Sequence, residues 1–283
     1  MQRDVSPIAV NTHYMPEAFA TLPGIFRQYG VQVEVVHEDT LTGPFGGVIA
    51  CRDAVVNADD ILVFAGDGIY DADFAGMLAE HREREAELTV GVAVVDDGSQ
   101  YGVISADSEG RVSQMTEKPP GVGSVQAASC GVYVVSKKLL ARFTHAARPI
   151  DWVDVVRTLL EEGAYVSAAK VDKWHDVGTS NNLLRTNITL LASDEVSVIA
   201  EALETPQGSV WSQDPKGANL TNIKTEGRVL LGAGVDIESG AVISNSVVGP
   251  GARIETRARV ANAVVLPGAR VRAGTTVVNT VWG

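Results

Sequence analysis

Residues 231–283 read LGAGVDIESGAVISNSVVGPGARIETRARVANAVVLPGARVRAGTTVVNTVWG. Large aliphatic side chains fall at Leu231, Ile237, Ile243, Val248, Ile254, Val260, Val265, Val271 and Val277, in steps of 6, 6 and 5, so the period is 17. Four residues after each comes a small or apolar residue, from Val235 and Ala241 through to Thr275 and Val281. Asn245, Asn262 and Asn279 recur at one place in each unit. Gly232, Gly234, Gly249, Gly251, Gly268 and Gly274 mark corners, where turns need a permissive backbone. A six-residue repeat with an inward aliphatic side chain is the signature of a triangular parallel β-helix, one short strand per side. An ordinary antiparallel sheet would alternate without returning to register after each five-residue step. Residues 209–226 are less regular and read as an imperfect first coil. In it, Leu220-Thr221-Asn222-Ile223 resembles the Asn-bearing side of the later coils.

Upstream the pattern changes. Short aliphatic runs at 8–11, 31–36, 61–65 and 88–95 suit buried strands. Helical stretches lie between them at 16–29, 46–56 and 73–85, the last with Phe74, Met77, Leu78 and His81 on one face and Asp73 as its cap. Further strands are expected at 102–105, 111–115 and 127–135, and helices at 137–143, 152–161 and 181–191. Strand alternating with helix predicts an α/β domain with a Rossmann-like, mostly parallel sheet. The expected organisation is an α/β domain over 1–192, a linker over 193–208 containing Pro206, and a β-helix over 209–283.

Composition narrows the function. The 283 residues carry 23 Lys+Arg against 35 Asp+Glu, a formal charge of −12, with no basic block to neutralise a nucleic-acid backbone. A phosphate-bearing small ligand needs only one or two placed cations or a metal ion. Apolar residues make up 45% and charged residues 20%, the balance of a globular protein. Cys51 and Cys130 sit in apolar runs and form no C-x-x-C, which fits a reducing compartment. No apolar run approaches the roughly 20 residues of a membrane span. The start Met1-Gln2-Arg3-Asp4 opens no signal peptide. A cytoplasmic protein is expected.

Several residues suit chemistry. Asp67 follows the strand Ile61-Leu62-Val63-Phe64-Ala65 and precedes Gly68. Ligands in open α/β sheets bind beyond the carboxyl ends of strands, and a carboxylate there can hold Mg²⁺ against phosphates. Asp with Gly is equally a turn pair. Asp176, in Trp174-His175-Asp176-Val177-Gly178-Thr179, is a second such carboxylate just before a helix. Asp71 and Asp73 form a D-x-D, read as a solvated turn and a helix cap rather than the metal pair of a glycosyltransferase. Glu117-Lys118-Pro119-Pro120 joins an acid and a base on a rigid segment, able to bind a hydroxyl and a phosphate together. The five histidines, His13, His37, His81, His145 and His175, all lie outside the β-helix. That argues against a hexapeptide-repeat acyltransferase, whose base sits there. Neither G-x-x-x-x-G-K-S/T nor G-x-G-x-x-G after a strand occurs.

In order, the pieces resemble the sugar-1-phosphate nucleotidyltransferases, in particular the mannose-1-phosphate guanylyltransferase-like branch with a C-terminal left-handed β-helix. Val10-Asn11-Thr12-His13-Tyr14-Met15-Pro16-Glu17 resembles the family's VNxHYxxE segment. Leu41-Thr42-Gly43-Pro44-Phe45-Gly46-Gly47 stands at its L-x-G-T-A-G-A loop, and Phe64-Ala65-Gly66-Asp67 at its NGD. Tyr101-Gly102-Val103-Ile104 resembles YGVV, Glu117-Lys118-Pro119 resembles EKP, and Trp174 to Thr179 resembles WxDIGT. Leu183-Leu184-Arg185-Thr186-Asn187 resembles the helix that follows. Ser129-Cys130-Gly131 stands where the family has Asn-Ala-Gly, which puts Gly131 among the substrate-binding positions.

The resemblance implies transfer of a nucleotidyl group from a nucleoside triphosphate to a sugar-1-phosphate, with release of pyrophosphate. It implies that Asp67 and Asp176 hold Mg²⁺, that Glu117 binds sugar hydroxyls and Lys118 the sugar phosphate. It implies further that Gly102 approaches the sugar, and that the loop with Gly43 and Gly46 approaches the base. The family's opening strand and its G-x-G-x-R-L-x-P-L-T loop have no counterpart in residues 1–283. Two readings therefore stay open. One is an enzyme whose first strand and loop lie outside this sequence. The other is a non-catalytic regulatory or scaffold relative that binds nucleotide sugars. Either is expected to form a homo-oligomer through 209–283, with no nucleic-acid and no membrane partner.

Overall fold

The computed structural model describes residues 7–120, 125–143, 145, 146, 148–203 and 209–283. The chain divides into two compact units, Met1–Trp174 and His175–Gly283.

The first unit contains β1 (Ile8–Thr12), α1 (Leu22–Arg27), β2 (Val33–His37), α2 (Pro44–Ala50), β3 (Asp60–Phe64), β4 (Gly68–Asp71) and α3 (Phe74–Glu83). It continues with β5 (Leu88–Val95), β6 (Gly102–Ala106), β7 (Val112–Glu117), β8 (Gln126–Ser136), α4 (Lys137–Ala141), α5 (Trp152–Glu161) and β9 (Val166–Lys170). Its organiser is β8, eleven residues long and mostly apolar, as suits a strand covered on both faces. On one edge β8 pairs antiparallel with β5, which pairs parallel with β9. On the other edge β3 pairs with residues 132–136 of β8, and β6 pairs at Ala128, both antiparallel. The hairpin β6–β7 closes that side. The expected mostly parallel sheet is thus corrected to a mixed one. The long β8 returns against the strands on both its sides, and that direction comes from non-local pairing rather than from apolar runs. Strands β1 and β2 form a separate two-stranded parallel pair.

The main core of this unit lies between sheet and helices, around Phe45, Leu88, Tyr133, Trp152, Val156 and Leu159. Tyr133 and Trp152 stack with centroids 3.6 Å apart, and Phe45 meets Trp152 edge-on at 5.0 Å. The helix expected over 16–29 is broken into a 3-10 turn, Pro16–Phe19, and α1, because Pro16 and Pro23 each restart the backbone. Asp73 caps α3 by accepting the Gly76 amide at 2.9 Å, as its position predicted. Asp71 pairs with Lys173 at 3.3 Å.

Strand β10 (Lys173–Asp176) crosses the division between the units. In the second unit, α6 (Ser180–Ala192) is followed by the 3-10 turn Asp194–Val198 and by β11 (Glu201–Leu203), antiparallel to β12 (Ser209–Ser212). Pro206 lies outside the described residues. Parallel coils then follow through β13 (Lys224–Leu231), β14 (Asp236–Ile237), β15 (Val242–Val248), β16 (Arg253–Ile254) and β17 (Arg259–Ala261). They end with β18 (Val264–Val265), β19 (Arg270–Val271), β20 (Thr276–Val278) and β21 (Val281–Trp282). Registers are seventeen residues apart: Ile237↔Ile254↔Val271 on one side, Ile243↔Val260↔Val277 on the next, and Val248↔Val265↔Trp282 on the third. The repeated aliphatics are buried from Leu231 through Val277, with Ile237 half-buried as the exception.

The corners explain the glycines and asparagines together. Positive φ occurs at Gly234, Gly251 and Gly268 in one column, and at Asn245, Asn262 and Asn279 in a second. The third column holds Asn222, Gly240, Arg257 and Gly274. Asn222 therefore does not extend the asparagine column as its surroundings suggested. The Gly240 amide donates to the Asn222 carbonyl at 2.8 Å, one coil away in the same column. Gly232 and Gly249 answer a different need, since a Cβ on either would strike the backbone nitrogen of Pro250 or Pro267 on the next coil, at 2.3 and 2.7 Å. Arg228 ties α6 to the coils by donating to the carbonyls of Leu191 and Ser193 at 3.1 and 2.8 Å. Among the described residues no helix is long and apolar enough to cross a membrane.

Candidate functional site

Strands β3 and β6 lie end to end along one edge of β8, and Gly102, Glu117, Lys118 and Gly131 lie around the break between them. At that break β8 carries a bulge opposite β5, between the pairs at Val90 and Val92. Gly131 adopts φ +80 there. Its carbonyl accepts the Ala65 amide at 2.7 Å, and a Cβ on it would come within 2.7 Å of Ala65 Cβ and 3.2 Å of Tyr70 Oη. Gly131 thus lets the end of β3, and with it Gly66 and Asp67, close onto β8. Bulges commonly re-aim side chains beside active sites.

On the other side of the break, Gly102 pairs with Glu117 across the hairpin. A Cβ on Gly102 would meet Met115 Cε at 2.5 Å, Glu117 Oε2 at 3.3 Å and Ser129 Cβ at 3.8 Å. Lys118 follows at φ +40, an uncommon backbone for lysine, held by its amide, which donates a hydrogen bond to the Tyr101 carbonyl at 2.9 Å. Its ammonium stands 3.7 Å from Glu117, and both side chains are exposed. One cluster of the first unit therefore unites Gly102, Glu117, Lys118, Ser129 and Gly131 with the end of β3. Tyr101 packs edge-on against Trp174, centroids 4.8 Å apart.

Beneath the cluster, Ser129 Oγ bonds Tyr133 Oη at 2.9 Å. Burial pushes the Tyr133 phenol well above its ordinary range, so it stays protonated. Burial likewise pushes the Cys130 thiol up to about 11, which makes it a poor nucleophile at neutral pH. Tyr70 and Tyr133 are parts of this neighbourhood that sequence reasoning did not single out. Their signal was weak, because an aromatic residue in a strand reads first as core.

Asp67 is exposed and bonds no other described residue. In the second unit, Asp176 accepts the Gly178 amide at 2.8 Å and the Asn182 side-chain amide at 2.6 Å. Thr179 caps α6 just beyond, through the Asn182 amide. Each Asp176 oxygen has one donor and keeps further lone pairs for a cation. Among the described residues no cluster of three or more His, Cys, Asp or Glu could hold a metal. Exposed carboxylates suit Mg²⁺, which is commonly bound by one or two of them together with waters and substrate phosphates.

The loop with Gly43 and Gly46 also belongs to the first unit. A Cβ on Gly43 would meet the Ile150 carbonyl oxygen at 2.6 Å, and one on Gly46 would meet Thr42 Oγ1 at 2.3 Å. Phe45, by contrast, is fully buried in the core.

The profile of the nucleotidyl transferase family matches residues 1–193. The chain belongs to the nucleotidyl transferase family. A second profile, the GlmU-like C-terminal hexapeptide repeat, matches residues 221–282. Among curated relatives of this nucleotidyl transferase family member, a glucose-1-phosphate adenylyltransferase of Bacillus thuringiensis (strain Al Hakam) is 30% identical over 213 residues, 67% of this chain and 56% of its own length. A mannose-1-phosphate guanylyltransferase of Mycobacterium tuberculosis is 28% identical over 252 residues, 86% of this chain and 67% of its own length. This chain thus spans little more than half of the first relative. A Bacillus anthracis structure with bound sucrose, described as a glucose-1-phosphate thymidylyltransferase, shares the fold with a TM-score of 0.58 at 23% identity, over 68% of this chain and 78% of that one. HddC of Yersinia pseudotuberculosis, solved with GMP-PN, gives 0.51 at 18% identity, over 63% and 76%.

Proposed function

We propose that the protein transfers a nucleotidyl group from a nucleoside triphosphate to a sugar-1-phosphate. A phosphate oxygen of the sugar-1-phosphate attacks the α-phosphorus, and the bond to the β-phosphate breaks. The products are a nucleotide sugar and pyrophosphate. The observation that carries this reading is the meeting of Glu117 and Lys118 with Gly102 and Gly131 at the end of β3, in a chain of this family.

In this reading Lys118 supplies a point charge for the sugar phosphate, and Glu117 accepts sugar hydroxyls. The Gly102 and Gly131 backbones leave room for the sugar, and Gly43 and Gly46 border the base. Asp67 and Asp176 would each offer a carboxylate to Mg²⁺, which would neutralise charge on the triphosphate. Catalysis of this kind rests on positioning and charge neutralisation more than on proton transfer. A cytoplasmic location belongs to the same reading. A homo-oligomer assembled through residues 209–283 belongs to the same reading, and light scattering of the purified chain checks it against a monomeric mass.

The decisive experiment is pyrophosphate release by purified 1–283 with Mg²⁺, five nucleoside triphosphates and a panel of sugar-1-phosphates. Turnover with one pair supports this reading and rules out a non-catalytic relative. One observation favours a second reading: the Ser129 hydroxyl is engaged by Tyr133. A non-catalytic relative would release no pyrophosphate in this assay and would bind nucleotide sugars in a separate calorimetric titration.

A further inference from the structure

Glu38, just beyond β2, is 7% exposed. No Lys or Arg among the described residues forms an ion pair with it. A buried carboxylate without a cation is costly unless its oxygens are well supplied with hydrogen bonds. Here they are: Asn11 Nδ2 donates to Oε2 at 2.8 Å, and Thr42 Oγ1 donates to Oε1 at 2.5 Å. The backbone is engaged as well. The Glu38 amide donates to the Thr12 carbonyl at 2.8 Å, and its own carbonyl lies 2.7 Å from His13 Nδ1. Burial pushes the nearby Cys51 thiol up to about 11, and the negative charge of Glu38 adds to that shift.

The start of α2 rests on this cluster. A Cβ on Gly47 would meet Asn11 Nδ2 at 2.4 Å and Glu38 Oε2 at 3.3 Å, while Gly46 faces Thr42 Oγ1. The opposite flank is held by Ile150, whose amide donates to the Thr42 carbonyl at 2.9 Å and whose carbonyl accepts the Phe45 amide at 3.1 Å. The glycine turn 43–47 is therefore gripped from two sides. The Ile150 grip comes from the core of the unit. The Glu38 grip comes from the β1–β2 pair, which shares no strand pairing with the main sheet.

We propose that Glu38 is a positioning residue for nucleoside triphosphate binding: bonded to Asn11 and Thr42, its carboxylate sets the place of the Gly43–Gly47 turn that borders the base. This rests on the nucleotidyl-transfer reading above. A carboxylate suits the task because it only accepts, so both neighbours can donate to it at once. Glutamine can keep both contacts if the Thr42 hydroxyl reverses its role. Alanine cannot.

The test compares Glu38→Ala, Glu38→Gln and Thr42→Val in the full chain with the parent. Hydrogen exchange of residues 42–50 and KM for each substrate are measured. For Glu38→Ala we expect exchange at 42–50 to rise at least tenfold, and KM for the nucleoside triphosphate to rise about tenfold. KM for the sugar-1-phosphate is expected within twofold of the parent, and Glu38→Gln to recover most of both effects. Thr42→Val is expected to shift both quantities the same way by less, and it keeps the test alive if Glu38→Ala does not fold. Unchanged exchange at 42–50 in the folded variants overturns the proposal, as does an equal rise in both KM values. If the parent binds no nucleoside triphosphate at all, the nucleotidyl-transfer reading itself fails, and the exchange data still report whether Glu38 holds the turn.

Discussion

The amide of Ala65 donates to the carbonyl of Gly131 at 2.7 Å, and this bond seats the end of one strand on the bulge of another. Only glycine fits at 131, both for its φ of +80 and for the closeness of Ala65. Gly131→Ala is expected to cost about 1–2 kcal/mol from backbone conformation alone, before the clash is counted. Thermal unfolding should show a midpoint several degrees lower, and pyrophosphate release should fall further than the folded fraction does. An unchanged midpoint would show that the bulge is not constrained as described.

Asp67 and Asp176 should part company when each is changed to Asn. Asp67 bonds no described residue, so Asp67→Asn should leave the unfolding midpoint within a degree or so while turnover falls on the order of a hundredfold. Asp176 also holds the Gly178 amide and the Asn182 side chain. Asp176→Asn should therefore lose turnover and stability together, the latter by about 1 kcal/mol. Equal loss of stability in the two variants would count against this division of roles.

His81 is 2% exposed, with Nδ1 2.8 Å from Thr89 Oγ1 and Nε2 3.5 Å from Asp60 Oδ1. Burial pushes its pKa below the ordinary 6.5, against a smaller upward pull from Asp60. The folded state then takes up its proton at lower pH than the unfolded chain does. The stability His81 contributes is complete above about pH 6.5 and is lost as pH falls from there through the folded pKa, at up to roughly 1.4 kcal/mol per pH unit. Urea unfolding between pH 7.5 and 5 should show this slope, and His81→Gln should flatten it. A slope identical in the variant would assign the effect to other groups.

Arg257 sits at φ +58 in a corner column otherwise filled by Asn222, Gly240 and Gly274. Arg257→Gly relieves a left-handed conformation worth about 1–2 kcal/mol and gives back roughly half of that through the freer unfolded chain. A midpoint raised by a degree or more is expected. A lowered midpoint would mean that the Arg257 side chain, whose Cγ approaches Gly240, contributes more than its backbone costs.

The residues proposed for the site could be picked out along the chain because they sit in local words. Asp67 after an apolar strand, Glu117-Lys118 before two prolines, and Asp176 before a helix cap each announce themselves over a few residues. Gly131 could be placed by family order, but its reason could not. Whether a glycine serves a turn, a bulge or a close approach depends on what lies against it, and here that is Ala65, sixty-six positions away. Glu38 was passed over for the same reason. A glutamate after a strand looks solvated until Asn11 and Thr42 are seen on either side of it.

The β-helix was the part that sequence alone determined. Its period, its inward aliphatics and its left-handed corners repeat every seventeen residues, so each coil restates the rule and pairing follows from adjacency. The direction of the strands around β8, the setting of the bulge at Gly131, the column that Asn222 joins and the unit to which α6 belongs were decided only in three dimensions. Those features depend on which distant segments bury one another's apolar faces and complete one another's hydrogen bonds, and no short stretch of chain contains both partners.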